Sequence, residues 1–404
     1  MNQTVDEMKM VHEDEMKNYD RIQAAVLSVM VRHGCRIIQT PTFEEYDTYG
    51  RYFPALRKEM IKIIDTDGSV LVLQPDVTAP LVRTVAREYP DPAQLLKFGY
   101  VSTVFREYYG KSTHGKYFLQ SGVELLGDPT PECDGEVMVM AAEFLEALGI
   151  HNMRIDLGTV AYMDALFAAL SLPEETMEAV RLAVEKRNLV TFDALVSPLA
   201  LSPREKEALL ALPRLFGDYE ETMKKARALC LNEKMEEALN RLEKVYAYFK
   251  YAGYEKLVQL DFGFTSHMGY YTDLVFKIYV DGALYSIVNG GRYDALSAQF
   301  GVSRPACGFG LNMNLLYEYM ADAGLLGKVR PSIQLAVAYD HFDPELVRDL
   351  TEWRKKKFSV LGYHVKNTVR KEDYEIAAVY RDGRYMVNGK SLSKEEMEAL
   401  LRRL

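Results

Sequence analysis

The chain has 404 residues, of which 48% are hydrophobic and 26% charged, and its formal net charge is −9. This length favours two or three domains, and the composition excludes a disordered chain because it can supply a large apolar core. The negative charge disfavours a dedicated nucleic-acid binder, and no apolar run approaches the length of a membrane span. We therefore expect a soluble, cytoplasmic protein whose partners include neither nucleic acid nor membrane.

The cysteines are widely separated in the chain. They form neither a CxxC pair nor a Cys/His cluster, and they are Cys35, Cys133, Cys230 and Cys307. In a chain of this size, such spacing predicts buried reduced thiols instead of a disulfide framework or a zinc site. We expect no metal and no cofactor.

The first 150 residues alternate between helical and strand-like patterns. Apolar residues recur at helical spacing in three segments, which predicts helices over residues 11–33, 77–87 and 132–148. Runs that favour β-structure predict strands over residues 36–40, 60–64, 70–73, 98–105 and 117–126. Asp67-Gly68 is a hairpin signal between the second and third of these strands, and a polar loop precedes the last one.

The middle of the chain is rich in helix formers. Residues 159–255 are predicted to form a mostly helical insertion, with a capping box that begins at Ser202. The β pattern resumes over residues 258–288, and Gly290-Gly291 is predicted to open another helix at a strand-to-helix turn. The insertion therefore separates two β-rich halves of one unit.

The last part of the chain is predicted to be a separate small domain. Residues 1–328 would form the core unit, and residues 329–404 alternate strand and helix patterns, with Ser393 and Glu396 capping a final helix. Strands interrupted by helices in this manner indicate an α+β protein with an antiparallel sheet.

Five segments carry proline, polar or aromatic residues that suggest an interface or a binding site. They are Thr40–Glu44, Gln74–Ala79, Phe105–Glu107 with Phe118–Glu124, His267–Phe276 and Gly290–Asp294. The first four segments each have a simple structural alternative when they are taken alone. The alternatives are a strand ended by Pro41, a helix N-cap at Asp76, a structural polar cluster of Gln120 with Glu124, and core packing by Tyr270-Tyr271.

In this order, the segments resemble class II histidyl-tRNA synthetases. The resemblance covers residues 10–325 apart from the helical block. It implies a class II synthetase-like antiparallel sheet flanked by helices, with the helical insertion and a small C-terminal α/β domain. It also implies a dimer through the Pro41 region.

The resemblance implies a histidine pocket as well. Its members would be Asp76 and Thr78 on the α-amino group, Arg106 on the carboxylate, Gln120 on the amino-acid backbone, Glu124 on the imidazole, and Tyr270 and Tyr271 lining the imidazole pocket. The residue types suit these roles, because imidazole N–H groups need an anionic acceptor and a planar guanidinium binds carboxylate through two bonds. Tyrosine adds a ring face and a hydroxyl.

Two positions depart from the pattern of active synthetases. Ser266 stands where that family carries an arginine that acts during amino-acid activation, and Leu315 stands where an arginine clamps ATP. Neither residue supplies positive charge to a phosphate. The loop before Tyr117 is also poorer in arginine, with Lys111, His114 and Lys116.

Retained histidine contacts combined with lost ATP contacts are similar to the family of ATP phosphoribosyltransferase regulatory subunits. That family implies a non-catalytic subunit, which activates a separate short-form catalytic subunit in histidine biosynthesis and transmits feedback inhibition by histidine. Two alternatives stay open from the sequence. One is a working histidyl-tRNA synthetase with displaced arginines, and the other is a synthetase-like protein with a different partner.

Overall fold

The computed structural model describes residues 11–53, 57, 59–106, 108–109, 114–264, 271–327, 330–341 and 343–404. The chain divides into two compact units, Met1–Leu326 and Gly327–Leu404. Within the described residues, no helix is both long enough and apolar enough to cross a membrane.

The strands of the first unit form one large sheet and two small ones. In chain order they are β1 (Arg36–Ile38), β2 (Phe43–Glu45), β3 (Lys62–Ile64), β4 (Val70–Leu73), β5 (Leu96–Val104), β6 (Tyr108–Tyr109), β7 (His114–Gly115), β8 (Phe118–Leu126), β9 (Met153–Thr159), β10 (Phe216–Asp218), β11 (Val258–Asp261), β12 (Leu274–Val280), β13 (Val288–Arg292) and β14 (Ala306–Asn312).

The large sheet has, among the described residues, the strand order β1-β5-β8-β14-β13-β12-β9-β11-β10. Its neighbouring strands are antiparallel except for β1 with β5 and β9 with β11. The predicted antiparallel sheet is confirmed. Strands β3 and β4 form the predicted hairpin around Asp67-Gly68, and β2 pairs with the other side of β4.

The helices of the first unit are α1 (Glu13–Arg32), α2 (Tyr46–Tyr52), α3 (Thr78–Glu88), α4 (Pro131–Glu146), α5 (Val160–Leu170), α6 (Glu174–Glu185), α7 (Leu189–Val196), α8 (Pro203–Ala211), α9 (Tyr219–Ala228), α10 (Glu233–Ala252), α11 (Asp294–Gln299) and α12 (Met313–Asp322). Helices α5 to α10 lie in the block that the composition marked as helical. That block also contributes β10, which pairs with β11 at the edge of the large sheet.

The main core lies between the large sheet and helices α1, α4 and α10. Helix α4 starts at Pro131, where the Thr130 hydroxyl accepts a hydrogen bond from the Cys133 N–H. It is apolar on most of its surface because it packs against the sheet, α1 and α10 at once. Side chains alternate between the two faces of a strand. In β8, Val123 and Leu125 therefore join this core, whereas Gln120 and Glu124 reach the opposite face of the sheet.

One predicted element is wrong. Gly290-Gly291 does not open a helix but lies within β13, and helix α11 begins only at Asp294. Glycine is needed at both positions because neither has room for a side chain. A Cβ atom on Gly291 would lie 2.8 Å from the ring of Tyr271, and one on Gly290 would lie 2.5 Å from the carbonyl oxygen of Gly308. Glycine in a strand interior often marks a site where another part of the chain approaches closely.

Among its described residues, the second unit has a five-stranded sheet and two α-helices. Its elements are β15 (Ile333–Tyr339), α13 (Pro344–Lys355), β16 (Val360–His364), β17 (Tyr374–Arg381), β18 (Arg384–Val387), β19 (Lys390–Leu392) and α14 (Lys394–Leu401). The strand order is β16-β15-β17-β18-β19. Lys394 of α14 bonds Asp349 and Glu352 of α13, and the predicted capping box of Ser393 and Glu396 is present. This is the small C-terminal α/β domain that the sequence predicts.

Candidate functional site

A cavity of about 480 Å³ lies on the face of the large sheet opposite α4. It collects every predicted site residue that the structure describes. Its lining includes Asp76, Thr78, Arg106, Gln120, Glu124, Tyr271 and Leu315. The remaining predicted residues, Tyr270 and Ser266, lie outside the described residues, as does Lys111.

Main-chain hydrogen bonds bring the polar wall of the cavity together. The N–H of Phe105 donates to the carbonyl of Gln74 at 2.9 Å, which places the end of β5 beside the end of β4. Asp76 follows Gln74 by two residues and Arg106 follows Phe105 by one. Both side chains therefore reach the cavity. On the other side, the N–H of Thr272 donates to the carbonyl of Arg292 at 2.8 Å, which holds Tyr271 next to β13.

Glu124 is the most deeply buried carboxylate of the cavity wall, with a side chain held from two sides. The Thr78 hydroxyl donates to its Oε1 at 2.6 Å, and the Tyr293 hydroxyl donates to its Oε2. Burial raises the pKa of Glu124 to about 8, against the effect of both hydroxyl donors, which favour the charged form. Each oxygen retains capacity to accept a further bond.

Asp76 has two roles in the structure. Its Oδ1 accepts a hydrogen bond from the Ala79 N–H at 2.7 Å, so the carboxylate caps the first turn of α3. It also lines the cavity. Burial raises the pKa of Asp76, although the bond from Ala79 and the nearby charge of Arg106 both lower it. The capping role and the ligand role are therefore compatible, since a carboxylate accepts several bonds.

Gln120 and Arg106 form the part of the wall near the start of β8. The Tyr100 hydroxyl lies 3.4 Å from Gln120 Oε1, at the long end of hydrogen-bond distance. The Arg106 guanidinium lies 5.6 Å from the centre of the Phe118 ring, within the range of a cation–π contact. Arg106 also lines the cavity, so its positive charge is available where the sequence predicts a contact with a carboxylate.

The floor of the cavity consists largely of main chain. A Cβ atom on Gly308 would overlap Glu124 Oε2 and lie 2.5 Å from the carbonyl of Val123. A Cβ atom on Gly310 would overlap Gln120 Nε2. Only glycine lets β14 run directly beneath these two side chains of the neighbouring strand β8.

The far end of the cavity is lined by Lys277, Ser286, Asn289 and Leu315. Burial lowers the pKa of Lys277, whose Nζ lies 5.0 Å from the centre of the Phe264 ring. Leu315 lies in the first turn of α12, where its N–H donates to the side chain of Asn312 at 3.0 Å. Leu315 thus presents an aliphatic side chain to this end of the cavity.

Tyr293 and Tyr100 are among the wall residues that the predicted set lacks. Tyr293 belongs to the segment 290–294 that the sequence singles out, so its position in that segment was the available signal. Tyr100 offers no such signal. It reaches the cavity because β5 pairs with β8 in the register Tyr100↔Gly122, and a Cβ atom on Gly122 would overlap the Tyr100 hydroxyl.

A buried ion cluster fixes β13 below the cavity. Arg292 is 1% exposed, and its Nε donates to Asp134 Oδ1 at 2.8 Å. Arg241 of α10 bonds the other oxygen of Asp134 at 2.9 Å, and Asp294 bonds Arg292 at 2.9 Å. Paired and hydrogen-bonded charges can remain buried, so the cluster serves to hold helix α4 and strand β13 together.

The arrangement suits reversible binding of a small cationic or imidazole-bearing ligand. Two buried carboxylates and several hydroxyl groups face a cavity that is large enough for an amino acid. Across the described parts of the chain, no group of three His, Cys, Asp or Glu side chains is placed to hold a metal ion.

Comparison with protein families extends this picture. The family model for histidyl-tRNA synthetase matches residues 7–316. The chain is 33% identical over 315 residues to the ATP phosphoribosyltransferase regulatory subunit of Geobacillus thermodenitrificans, which covers 78% of this chain and 79% of that protein. It is 32% identical over 351 residues to the protein of the same name from Bacillus licheniformis, covering 87% and 88%.

Solved structures agree. A crystal structure described as an ATP phosphoribosyltransferase regulatory subunit/histidyl-tRNA synthetase from Bacillus halodurans superposes with a TM-score of 0.82 at 28% identity, covering 94% of this chain and 98% of that chain. Histidyl-tRNA synthetase from Nostoc sp. PCC 7120 superposes with a TM-score of 0.77 at 18% identity, covering 100% of both chains. The latter likeness establishes the fold.

Proposed function

The chain belongs to the family of ATP phosphoribosyltransferase regulatory subunits, and we propose that it is a non-catalytic subunit that binds histidine and regulates a separate catalytic subunit. The family assignment follows from relatives of this name, which match the chain over most of the length of both proteins. The catalytic activity would lie in the partner, the short-form phosphoribosyltransferase of the first step of histidine biosynthesis.

The observation that carries the ligand assignment is the setting of Glu124. The Glu124 carboxyl is buried and already oriented by two hydroxyl groups. Burial favours its neutral form, and the positive charge of a bound imidazolium would lower its pKa and stabilise the anionic acceptor that the imidazole N–H needs. Because the Thr78 hydroxyl donates a hydrogen bond to Glu124, the lone pairs of the Thr78 oxygen are left to accept hydrogen bonds from a ligand in the cavity. A ligand ammonium can donate to that oxygen and to Asp76, while Arg106 receives the ligand carboxylate.

The absence of synthetase chemistry is supported by Leu315. An aliphatic side chain at the far end of the cavity offers no counter-charge to a triphosphate. Ser266, which lies outside the described residues, occupies a second position at which the sequence pattern of active synthetases has an arginine. Histidine that is bound without being activated would bias assembly with a partner through a difference between its affinities for the free and the assembled subunit.

Self-association through the region of Pro41 belongs to the same proposal. By register, the outer face of the small sheet carries four apolar residues and one charged residue, namely Phe43 and Glu45 of β2, Leu71 and Leu73 of β4, and Ile63 of β3. Phe43 is 53% exposed. We propose that a second copy of the chain covers this apolar face. Light scattering of the purified chain should give the mass of a dimer, and Phe43→Asp should reduce it to the mass of one chain.

One experiment tests the main proposal. The purified chain is assayed for histidine-dependent exchange of pyrophosphate into ATP, and separately for stimulation of a short-form phosphoribosyltransferase subunit. We expect no exchange, clear stimulation, and a change in the stimulated rate on adding histidine. Exchange activity would establish a working histidyl-tRNA synthetase instead. Failure to stimulate or bind the catalytic subunit would favour a synthetase-like protein with another partner.

A further inference from the structure

The wall residue Tyr271 is followed by a short segment, Thr272 and Asp273, that is tied to two other parts of the first unit. The N–H of Thr272 donates to the carbonyl of Arg292 in β13 at 2.8 Å. The carbonyl of Asp273 accepts a hydrogen bond of 2.9 Å from the N–H of Val160, the first residue of α5. The main chain directly after Tyr271 is therefore anchored to the sheet on one side and to the start of the helical insertion on the other.

The side chain of Asp273 is held by donors from two further elements. The Thr159 hydroxyl, at the end of β9, donates to Asp273 Oδ1 at 2.8 Å, and Arg241 Nε of α10 lies 3.3 Å from Asp273 Oδ2. Thr159 is 1% exposed, and the side chains of Arg241 and Asp273 are 20% and 21% exposed. A partly buried ion pair is screened by salt much less than a surface pair. The Asp273 carboxylate therefore connects the segment after Tyr271 to β9 and to α10.

Arg241 extends this connection to the buried ion cluster below the cavity. Its Nε also donates to Asp134 Oδ2 at 2.9 Å, and Asp134 Oδ1 accepts a hydrogen bond from Arg292. Arg241 thus faces two aspartates, one in helix α4 and one in the segment beside the cavity. Without the charge of Asp273, Arg241 would be attracted to Asp134 alone, and the Asp273 side chain would lose its link to α10.

The position of Tyr271 leaves little room for movement. Its ring lies so close to the main chain of β13 that a Cβ atom on Gly291 would come within 2.8 Å of it. The ring also packs against Val160, Phe264 and Val275. Because Tyr271 lines the cavity as well, a shift of the segment that carries it would change the shape of the wall. Wall residues of a binding site need supporting contacts that hold them to within about 0.5 Å.

We propose that Asp273 is a positioning residue of the histidine pocket. Held by Thr159 and Arg241, it fixes the segment that places Tyr271 against Gly291 in the orientation that the ligand requires. This inference rests on the proposed function, because it assumes that the cavity binds histidine. It extends that function by giving the helical insertion, through α10, a role in ligand affinity.

Titration calorimetry of the full chain with histidine tests the proposal. Asp273→Asn keeps an acceptor for the Thr159 hydroxyl but removes the charge that faces Arg241, and Thr159→Val removes the hydroxyl itself. We expect each variant to bind histidine at least about fivefold more weakly, the effect of one lost hydrogen bond. Thr159→Ser keeps the hydroxyl and should recover most of the affinity.

The matched control is Asp164→Asn. It also removes the charge of an aspartate that pairs with an arginine, because Asp164 lies 2.8 Å from Arg181 on the surface of the insertion. Histidine affinity should change by less than about twofold, since exposed pairs contribute little and this one does not contact the cavity wall. Urea unfolding without histidine checks that each variant is folded under the conditions of the titration.

A double-mutant cycle with Tyr271→Leu separates positioning from a general loss of structure. Once the tyrosine ring is absent, adding Asp273→Asn should weaken histidine binding by less than about twofold further, because residues that act through one another are not additive. Ligand-detected NMR extends the measurement to weak binding. The same loss in both backgrounds would mean that Asp273 does not act through Tyr271, and the inference would be wrong.

The outcomes also distinguish the inference from the proposed function. If the wild-type chain does not bind histidine, the ligand assignment in the proposed function fails and the inference fails with it. If the wild-type chain binds histidine and both Asp273→Asn and Thr159→Val bind it equally well, only the inference fails. A variant that unfolds at lower urea but keeps its histidine affinity would give Asp273 a structural role alone, which overturns the inference.

Discussion

The hydroxyl of Thr78 donates a hydrogen bond of 2.6 Å to the carboxylate of Glu124, although 46 residues separate them in the chain. The sequence assigns these two residues to opposite ends of a bound histidine, Thr78 to the ammonium group and Glu124 to the imidazole. In the structure they form one unit at the first turn of α3. A ligand that contacts either residue therefore acts on both.

Replacing Glu124 with glutamine should weaken histidine binding by about tenfold or more. The amide keeps the shape of the side chain but removes the anionic acceptor, and a hydrogen bond to a charged group contributes roughly 1.5–3 kcal/mol. Isothermal calorimetry measures the effect. Glu132→Gln, on an exposed position of α4, is the control and should bind as the wild type does. Equal affinities for both variants would remove Glu124 from the site.

The same substitution should change how stability depends on pH. Burial raises the pKa of Glu124 from 4.5 to about 8, so the folded state binds a proton that the unfolded state releases between these values. The stability contributed by the protonated carboxyl is present below pH 4.5 and is lost as the pH rises to about 8. Relative to the wild type, Glu124→Gln should therefore become more stable by about 1 kcal/mol or more between pH 5 and pH 8. Thermal unfolding at both pH values measures this, and a constant difference would contradict the assignment.

Thr78→Val should cost both stability and affinity. Valine has a similar shape but cannot donate to Glu124, which leaves one oxygen of a buried carboxyl without its donor. Loss of one partner of a buried hydrogen bond costs about 1–3 kcal/mol. Thr78→Ser keeps the hydroxyl and should recover most of the histidine affinity. If serine and valine behave alike in calorimetry, the methyl group and not the hydroxyl is what matters.

Asp134→Asn should destabilise the first unit by about 3 kcal/mol or more, because it leaves the charge of a buried arginine without its main partner. Arg292 is 1% exposed and Asp134 is 0% exposed. Urea unfolding measures the loss. The control is Glu221→Gln, which breaks an exposed pair with Lys225 and should cost no more than about 0.5 kcal/mol. A similar small cost for Asp134→Asn would show that the cluster does not hold β13 in place.

The fold could be predicted because the five segments follow one another along the chain as they do in one known family. The local residue patterns agree with the fold of that family. The hairpin at Asp67-Gly68 and the capping box at Ser202 depend only on nearby residues, and both are present. Gly290-Gly291 was predicted wrongly because the need for glycine there arises from the ring of Tyr271, which is distant in the chain. Contacts between residues that are distant in the chain cannot be predicted from the local sequence pattern.

The candidate site shows the same division. The order of the segments is enough to bring Asp76, Arg106, Gln120 and Glu124 to one cavity wall, and the structure places them there. The hydroxyl groups that hold Glu124 were not predicted as a pair. Tyr293 reaches Glu124 only because β13, β14 and β8 are adjacent in the sheet. The order of strands in a sheet cannot be predicted from the local spacing of residues.

The glycine floor of the cavity has a consequence for how the protein can evolve and respond. Because Gly308 and Gly310 leave main chain beneath the ligand site, the depth of the cavity is set by the hydrogen-bond ladder of β14 with its neighbours. Ordinary substitutions cannot deepen or tilt that floor. We therefore expect differences in ligand preference among relatives to arise in the walls, and a ligand-driven movement to begin at α3, at Tyr271 or at the first turn of α12.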